Sequence, residues 1–154
     1  MIFDRYGVSL NGLEKVRIGI AVALIDEFDR ILLELRSDVA MWGITGGRLD
    51  PGETPKQCGC REIFEETGLI LVPDDLSLFN IYGDPLDGRI LQYPDNRVHL
   101  VDIVYTAKVN SSIQLCLSSE SLSLSYFDST ALPDEIVPPA VRPIHDLVRQ
   151  HLIK

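Results

Sequence analysis

Thr54-Pro55-Lys56-Gln57-Cys58-Gly59-Cys60-Arg61-Glu62-Ile63-Phe64-Glu65-Glu66-Thr67-Gly68-Leu69 carries its own start and stop signals. Thr54 suits a helix cap, Pro55 the first helical position, and Gln57 completes a capping box. Gly68 stands where helices commonly end in a left-handed residue. The stretch therefore predicts a helix from Pro55 to Thr67. At about 100° per residue, Cys60, Ile63, Phe64 and Thr67 share one arc, an apolar face for the core. Glu62, Glu65 and Glu66 fall on the opposite side, with Arg61 four residues before Glu65 and able to pair with it. Gly59 is expected beside Glu62 and Glu66, either making room for a ligand or simply tolerated.

A solvated acidic face is the ordinary explanation for charges on a helix. Two details oppose it here. Glu62 and Glu66 are like charges four residues apart, and they lie in the second half of the helix, where the dipole disfavours anions. A hard divalent cation held by carboxylate oxygens removes both costs, and Mg²⁺ and Mn²⁺ prefer such donors. The preceding loop fits the same purpose. Gly46-Gly47 and Pro51-Gly52 allow a tight path that delivers Glu53 to the helix start, with backbone free to approach a ligand closely.

Outward from this segment, strands dominate. Ile18–Ile25 reads as a strand buried on both faces, Asp26-Glu27-Phe28-Asp29 as a turn, and Ile31–Leu35 as the hairpin partner. Leu76–Tyr82 and His99–Val109 are further strands. Residues 83–97 between them hold turn signals at Gly83-Asp84-Pro85, Gly88 and Pro94-Asp95-Asn96, a loop or loose hairpin. Leu122–Tyr126 alternates with period two, a half-buried strand, expected beside His99–Val109. A C-terminal helix runs from Pro138 through Leu152, with Ile144, Leu147 and Val148 as its apolar stripe. The fold class is α/β or α+β, a mixed sheet with helices packed on its faces.

Composition sets the outer limits. The 154 residues are 45% hydrophobic and 24% charged, which suits one globular domain over residues 1–154. Fourteen Lys and Arg against 23 Asp and Glu give a net charge of −9, against a broad nucleic-acid surface. An acidic protein that holds a polyanion needs a metal to bridge the two. No apolar run reaches the roughly 18 residues of a membrane span. Asp4 and Arg5 sit early, without a secretory apolar core. Cys58, Cys60 and Cys116 have no zinc spacing and read as reduced thiols. These features point to a cytoplasmic protein without a membrane partner; a homodimer is compatible with them.

Gly47, Glu53 and Arg61-Glu62-Ile63-Phe64-Glu65-Glu66-Thr67-Gly68-Leu69 match the signature G-x5-E-x7-R-E-U-x-E-E-x-G-U at every fixed position, U being aliphatic. The chain thereby resembles the Nudix hydrolase family. The preceding hairpin, Trp42 just upstream and a late Glu120–Phe127 strand look like the family too. Thr45 departs from the family's usual proline before the double glycine, at some loss of local rigidity.

The resemblance implies a Nudix-like α/β/α sandwich and Mg²⁺-dependent hydrolysis of a pyrophosphate bond in a nucleoside diphosphate linked to another moiety, with Mn²⁺ able to substitute. It implies Glu65 and Glu66 as metal ligands, with the Gly46 carbonyl as a further one. Glu62 is ligand or general base, and Glu53 supports the water or orients Arg61. Glu120 enters as a further catalytic carboxylate outside the helix, because a two-metal site needs ligands from several directions. Trp42, Gly47, Tyr82 and Arg97 are candidate contacts to a small nucleotide substrate, with Tyr93 and His99 beside them. Pro85 lies near where members acting on ADP-ribose often carry a proline. A (d)NTP pyrophosphatase that removes modified nucleotides is the alternative enzyme. A silent nucleotide-binding regulator is the non-enzymatic one, opposed by the intact Arg61, Glu62, Glu65 and Glu66.

Overall fold

The computed structural model describes residues 13–93 and 96–154; Asp4 and Arg5, and Pro94 and Asp95 of one expected turn, lie outside these. Chain order gives β1 (Leu13–Ile25), β2 (Ile31–Arg36), β3 (Trp42–Ile44), β4 (Gly46–Arg48) and α1 (Pro55–Thr67). β5 (Ser77–Tyr82), β6 (Ile90–Gln92), β7 (Arg97–Lys108), β8 (Ser121–Phe127) and α2 (Pro138–Arg149) follow. All eight strands join one sheet in the order β3-β2-β1-β7-β5, with β4 on β1, β6 on β7 and β8 on β2.

β1 is the axis. It runs parallel to β7 from Lys15↔Val98 to Ile25↔Lys108, while Gly46–Arg48 pair antiparallel with its Gly19–Ala21. Its alternating side chains feed two cores. Ile20, Val22 and Leu24 pack with Leu32, Cys58 and Ile63 on the α1 side, and Ala23 packs with Ile31, Leu33, Ile144 and Leu147 on the α2 side. The sheet thus lies between the two helices, as a mixed α/β/α arrangement requires.

The expected β1–β2 hairpin closes through a single register pair, Ile25↔Ile31. Beyond the turn, held by the buried Asp26 carboxyl accepting from the Phe28 and Arg30 amides, β2 leaves β1 for β3 and β8. β8 therefore does not lie beside β7, as its sequence had suggested. Both edges of β7 are already taken, by β1 on one side and by β5 and β6 on the other.

α2 ends at Arg149, short of Leu152, and contains Pro143. Proline has no N–H, so the carbonyl four residues back, at Pro139, loses its helical partner. The guanidinium of fully buried Arg89 supplies the missing donor at 2.7 Å. Arg89 also pairs with Asp102 at 2.5 Å and lies over the Tyr82 ring. Residues 83–89 are thereby fastened to α2.

Candidate active site

α1 forms as its sequence dictates. The Thr54 hydroxyl accepts from the Gln57 amide at 3.1 Å, the Gln57 side chain accepts from the Thr54 amide at 2.9 Å, and Gly68 closes the helix at φ 78°. The buried face is turned from the expected one. Cys58, Gly59, Ile63, Glu66 and Thr67 are buried, whereas Phe64 is exposed. The reason is Gly59, where a Cβ would stand 2.8 Å from Leu76 and 3.0 Å from Val22. The helix lies flat on the sheet at its bare residue. Gly59 thus serves packing and opens no space for a ligand.

This rotation draws Glu66 inward, to 6% exposure, where its Oε2 accepts from the Gly46 amide at 3.0 Å. Burial pushes its pKa well above the ordinary carboxylate range, and the adjacent Glu34 carboxyl pushes it further. Glu62 is half-buried, and desolvation raises its pKa against the opposing pull of Arg61. Glu65 stays exposed.

Arg61 gathers the acids around it. Its Nε and Nη2 donate to the two oxygens of Glu53 at 3.0 and 2.7 Å, a bidentate fork. Nη1 donates to Glu62 at 2.8 Å and lies 3.4 Å from Glu65, and Nη2 also reaches the Arg48 carbonyl at 3.2 Å. The fork, with the Asp50 amide at 2.8 Å, holds the Glu53 pKa down at about 2. Glu53 therefore fixes Arg61 and remains ionised. Arg61 is occupied by protein oxygens.

The loop glycines are fixed by close approach. At Gly46, φ 153°, a Cβ would collide with the Ile20 carbonyl, and at Gly47 with the Glu62 carboxyl. Thr45 does not loosen this loop. Its buried hydroxyl donates to the Val22 carbonyl at 2.9 Å, and its own carbonyl accepts from the Val22 amide at 2.8 Å.

Glu120 arrives from the far end of the chain. Its carbonyl accepts from both the Ser37 amide and hydroxyl at 2.9 Å, which holds the turn before β8 against the end of β2. Ser118, Ser119, Glu120, Glu65 and Glu66 line a hollow of about 220 Å³. The N-terminal end of β8, expected to approach the loop before the helix, instead meets the last turns of α1 at Glu65 and Glu66, by way of β2.

The expected nucleotide contacts are dispersed. Tyr82 is buried at 7% exposure and its hydroxyl donates to Asp146 at 2.8 Å, so it belongs to the core rather than to a substrate surface. Trp42 packs edge-on to Phe127 with ring centres 4.9 Å apart, and its backbone bonds to Glu135 and Val137. Arg97 begins β7 opposite Leu13, well before the β1 residues that pair with β4. Tyr93 accepts from Arg17 and lies beneath its guanidinium, His99 Nε2 sits 2.6 Å from the Gly83 carbonyl, and Pro85 occupies the second position of the Asp84–Asp87 turn.

Sequence reasoning missed Glu34. It is 6% exposed on β2 and accepts from Ser121 Oγ at 2.6 Å. The available signal was one acid inside the otherwise apolar Ile31–Leu35 run.

The donor set is wholly oxygen, which suits a hard divalent cation. Among the described residues no three acids close around a metal position, and Glu62 and Glu65 pair with Arg61. The residues fit such an ion in donor chemistry, with the buried Glu66 and the exposed Glu65 and Glu120 on its rim.

The sequence profile described as NUDIX domain matches residues 15–148. The chain belongs to the NUDIX family. It is 29% identical over 128 residues to a provisionally named 8-oxo-dGTP diphosphatase of Bacillus subtilis (strain 168), covering 83% of this chain and 77% of that protein. It is 32% identical over 113 residues to an ADP-ribose pyrophosphatase of Methanocaldococcus jannaschii, covering 71% of this chain and 61% of the relative's length. Among solved structures, the MutT NUDIX hydrolase of Burkholderia pseudomallei superposes with a TM-score of 0.69 at 26% identity, over 86% of this chain and 98% of that one. The enzymatic class is that of a Nudix pyrophosphohydrolase, and Nudix hydrolases generally use a divalent metal. No helix among the described residues is long and apolar enough to cross a membrane.

Proposed function

We propose that this Nudix chain hydrolyses a pyrophosphate bond in a nucleoside diphosphate linked to another moiety, with ADP-ribose or a related nucleotide sugar or dinucleotide as the substrate class. The observation that carries the reading is the meeting of Glu65, Glu66 and Glu120 around one hollow while Arg61 is spent on Glu53 and Glu62. A diphosphate approaching these acids finds the Arg61 guanidinium already paired with Glu53 and Glu62. A cation must therefore come with it.

Glu65 and Glu66, with Glu62 and the Gly46 carbonyl, would hold Mg²⁺ or Mn²⁺. When bound, such an ion neutralises the diphosphate and makes water a better nucleophile at neutral pH. Glu62, where it does not hold the ion, and Glu120 would take the proton of the attacking water. The raised pKa of Glu62 brings it closer to the working range of a general base. Arg61 and Glu53 orient Glu62 and the loop, and Gly47 leaves room for the Glu62 carboxyl. Trp42 and Arg97 stay as candidates for the nucleotide's outer parts; the buried Tyr82 does not.

The names of the relatives include ADP-ribose, 8-oxo-dGTP and RNA, and the products separate ADP-ribose from 8-oxo-dGTP. Two monophosphate-bearing products mark the first class, a monophosphate plus pyrophosphate the second. A nucleotide panel incubated with Mg²⁺ and read by product mass is the test. Cleavage of ADP-ribose or a dinucleotide, abolished by chelator and restored by Mg²⁺ or Mn²⁺, is expected. Failure to cleave any pyrophosphate-linked nucleotide would overturn the reading.

A further inference from the structure

We propose that Glu34 is a positioning residue of the metal site, joining Glu66 on α1 to the Glu120-bearing turn before β8. The inference rests on the reading of Glu66 as a metal ligand. Glu34 and Glu66 are each buried to 6% exposure with their carboxyls adjacent. Glu34 also accepts from Ser121 Oγ at 2.6 Å. Ser121 is itself 5% exposed, stands next to Glu120, and lies 3.3 Å from Ser118 Oγ, which accepts from the Glu120 amide at 3.3 Å. A continuous line of polar contacts thus runs from Glu66 through Glu34, Ser121 and Ser118 to the backbone of Glu120.

Such an arrangement is costly unless it serves something. β2 pairs with strands on both edges, and Leu32, on the same face as Glu34, packs with Ile63 in the core. An apolar residue at position 34 would extend that core, and buried acids are commonly replaceable by apolar residues without loss of stability. Instead the strand sets a second carboxyl against Glu66. The Gly46 amide fixes one Glu66 oxygen at 3.0 Å, and the Glu34 carboxyl stands beside it. Partners that orient a ligand in this way commonly change metal affinity by about 10–100-fold when removed. Glu34 need touch neither substrate nor metal to do so. Its effect passes through the direction of Glu66 and the seat of the Glu120 turn.

The test is a titration of the full chain with Mn²⁺ alone, read by the electron paramagnetic resonance of free Mn²⁺, for wild type, Glu34→Gln and Ser121→Ala. Glu34→Gln is expected to weaken the tightest Mn²⁺ site about tenfold, with a melting temperature in chelator no lower than that of wild type. Ser121→Ala, which keeps the acid and removes its partner, is expected to weaken the site by about threefold or more. Turnover of Glu34→Gln should return to near wild type at saturating Mn²⁺, a rescue that a merely structural defect would not allow. Affinities within twofold of wild type for both variants would overturn the proposal, as would a turnover loss that persists at saturation. If Glu34→Gln fails to fold, Ser121→Ala decides alone. A wild-type chain that binds Mn²⁺ yet cleaves no pyrophosphate overturns the hydrolytic reading, while the affinity ratio still decides the role of Glu34.

Discussion

The carboxyl group of Glu62 lies against the bare α-carbon of Gly47, so that a methyl group built at residue 47 would overlap its terminal atoms. The Arg61 ion pair at 2.8 Å keeps that carboxyl in place. Loop and helix are thus matched through a missing side chain. Gly47→Ala needs no unusual φ, so the fold should tolerate it while Glu62 swings away. Turnover is expected to fall by about 100-fold, since a misplacement of about 1 Å in a catalytic group can cost that much. The melting temperature should stay within about 3 °C of wild type, a shift of roughly 1 kcal/mol for a chain of this size. Steady-state kinetics beside thermal melts would check both halves; an unchanged turnover would remove Glu62 from the chemistry.

Glu65→Gln and Glu66→Gln should each lower turnover by about two orders of magnitude or more, the scale on which a lost electrostatic partner acts. In metal-free protein neither should destabilise the fold, and Glu66→Gln should raise the melting temperature. The amide still accepts from Gly46 and removes a carboxyl whose ionisation is opposed by burial and by Glu34. A large loss of stability for both variants in chelator would assign these acids to structure.

The same burial sets a pH dependence. The folded Glu66 carboxyl titrates above the ordinary value of 4.5 that holds in the unfolded chain. Above that value the folded state binds more protons than the unfolded state, so stability falls as pH rises. Thermal melts in chelator between about pH 5 and about pH 8 should show this decline, with a shallower one for Glu66→Gln. A decline as steep in the variant as in wild type would place its source elsewhere.

Glu120→Gln is expected to lower turnover at least about tenfold, within the usual range for a lost general base or ligand. It should also raise the Mg²⁺ concentration needed for half-maximal rate. Wild-type rates across a magnesium titration would make Glu120 an ordinary surface acid.

Arg89→Met removes the donor for the Pro139 carbonyl and strands Asp102, whose carboxyl is only 15% exposed. Breaking a buried pair from one side costs about 3–5 kcal/mol. The melting temperature should drop by about 10 °C or more, read by calorimetry. A drop of a few degrees would mean that water replaces the guanidinium there.

What the sequence disclosed was local. The limits of α1, its capping box and its left-handed end depend on neighbours a few residues away, and Thr54, Gln57 and Gly68 announced them. The acidic motif was legible for the same reason. Contacts across the fold were not. Periodicity told which residues of β8 alternate but not which strand receives them, and β2 took the place expected for β7. Hydrophobicity put Phe64 in the core and Glu66 outside. The sheet instead chose the arc where Gly59 allows closest approach. Thr45 looked like a loss of rigidity because the Val22 carbonyl that receives its hydroxyl is distant in sequence.

The parallel pairing of β1 with β7 also governs the order in which the molecule can assemble. Gly47, Glu53, Arg61 and Glu62 meet through short loops, which close readily and early. The Glu34–Ser121 bond spans 87 residues, and it forms only when β8 reaches β2, alongside a parallel strand pair that itself encloses the whole helix. Contacts of such long separation are slow to form. The two walls of the hollow, the acidic helix and the Glu120-bearing turn, therefore come together late, once β8 has been laid against β2.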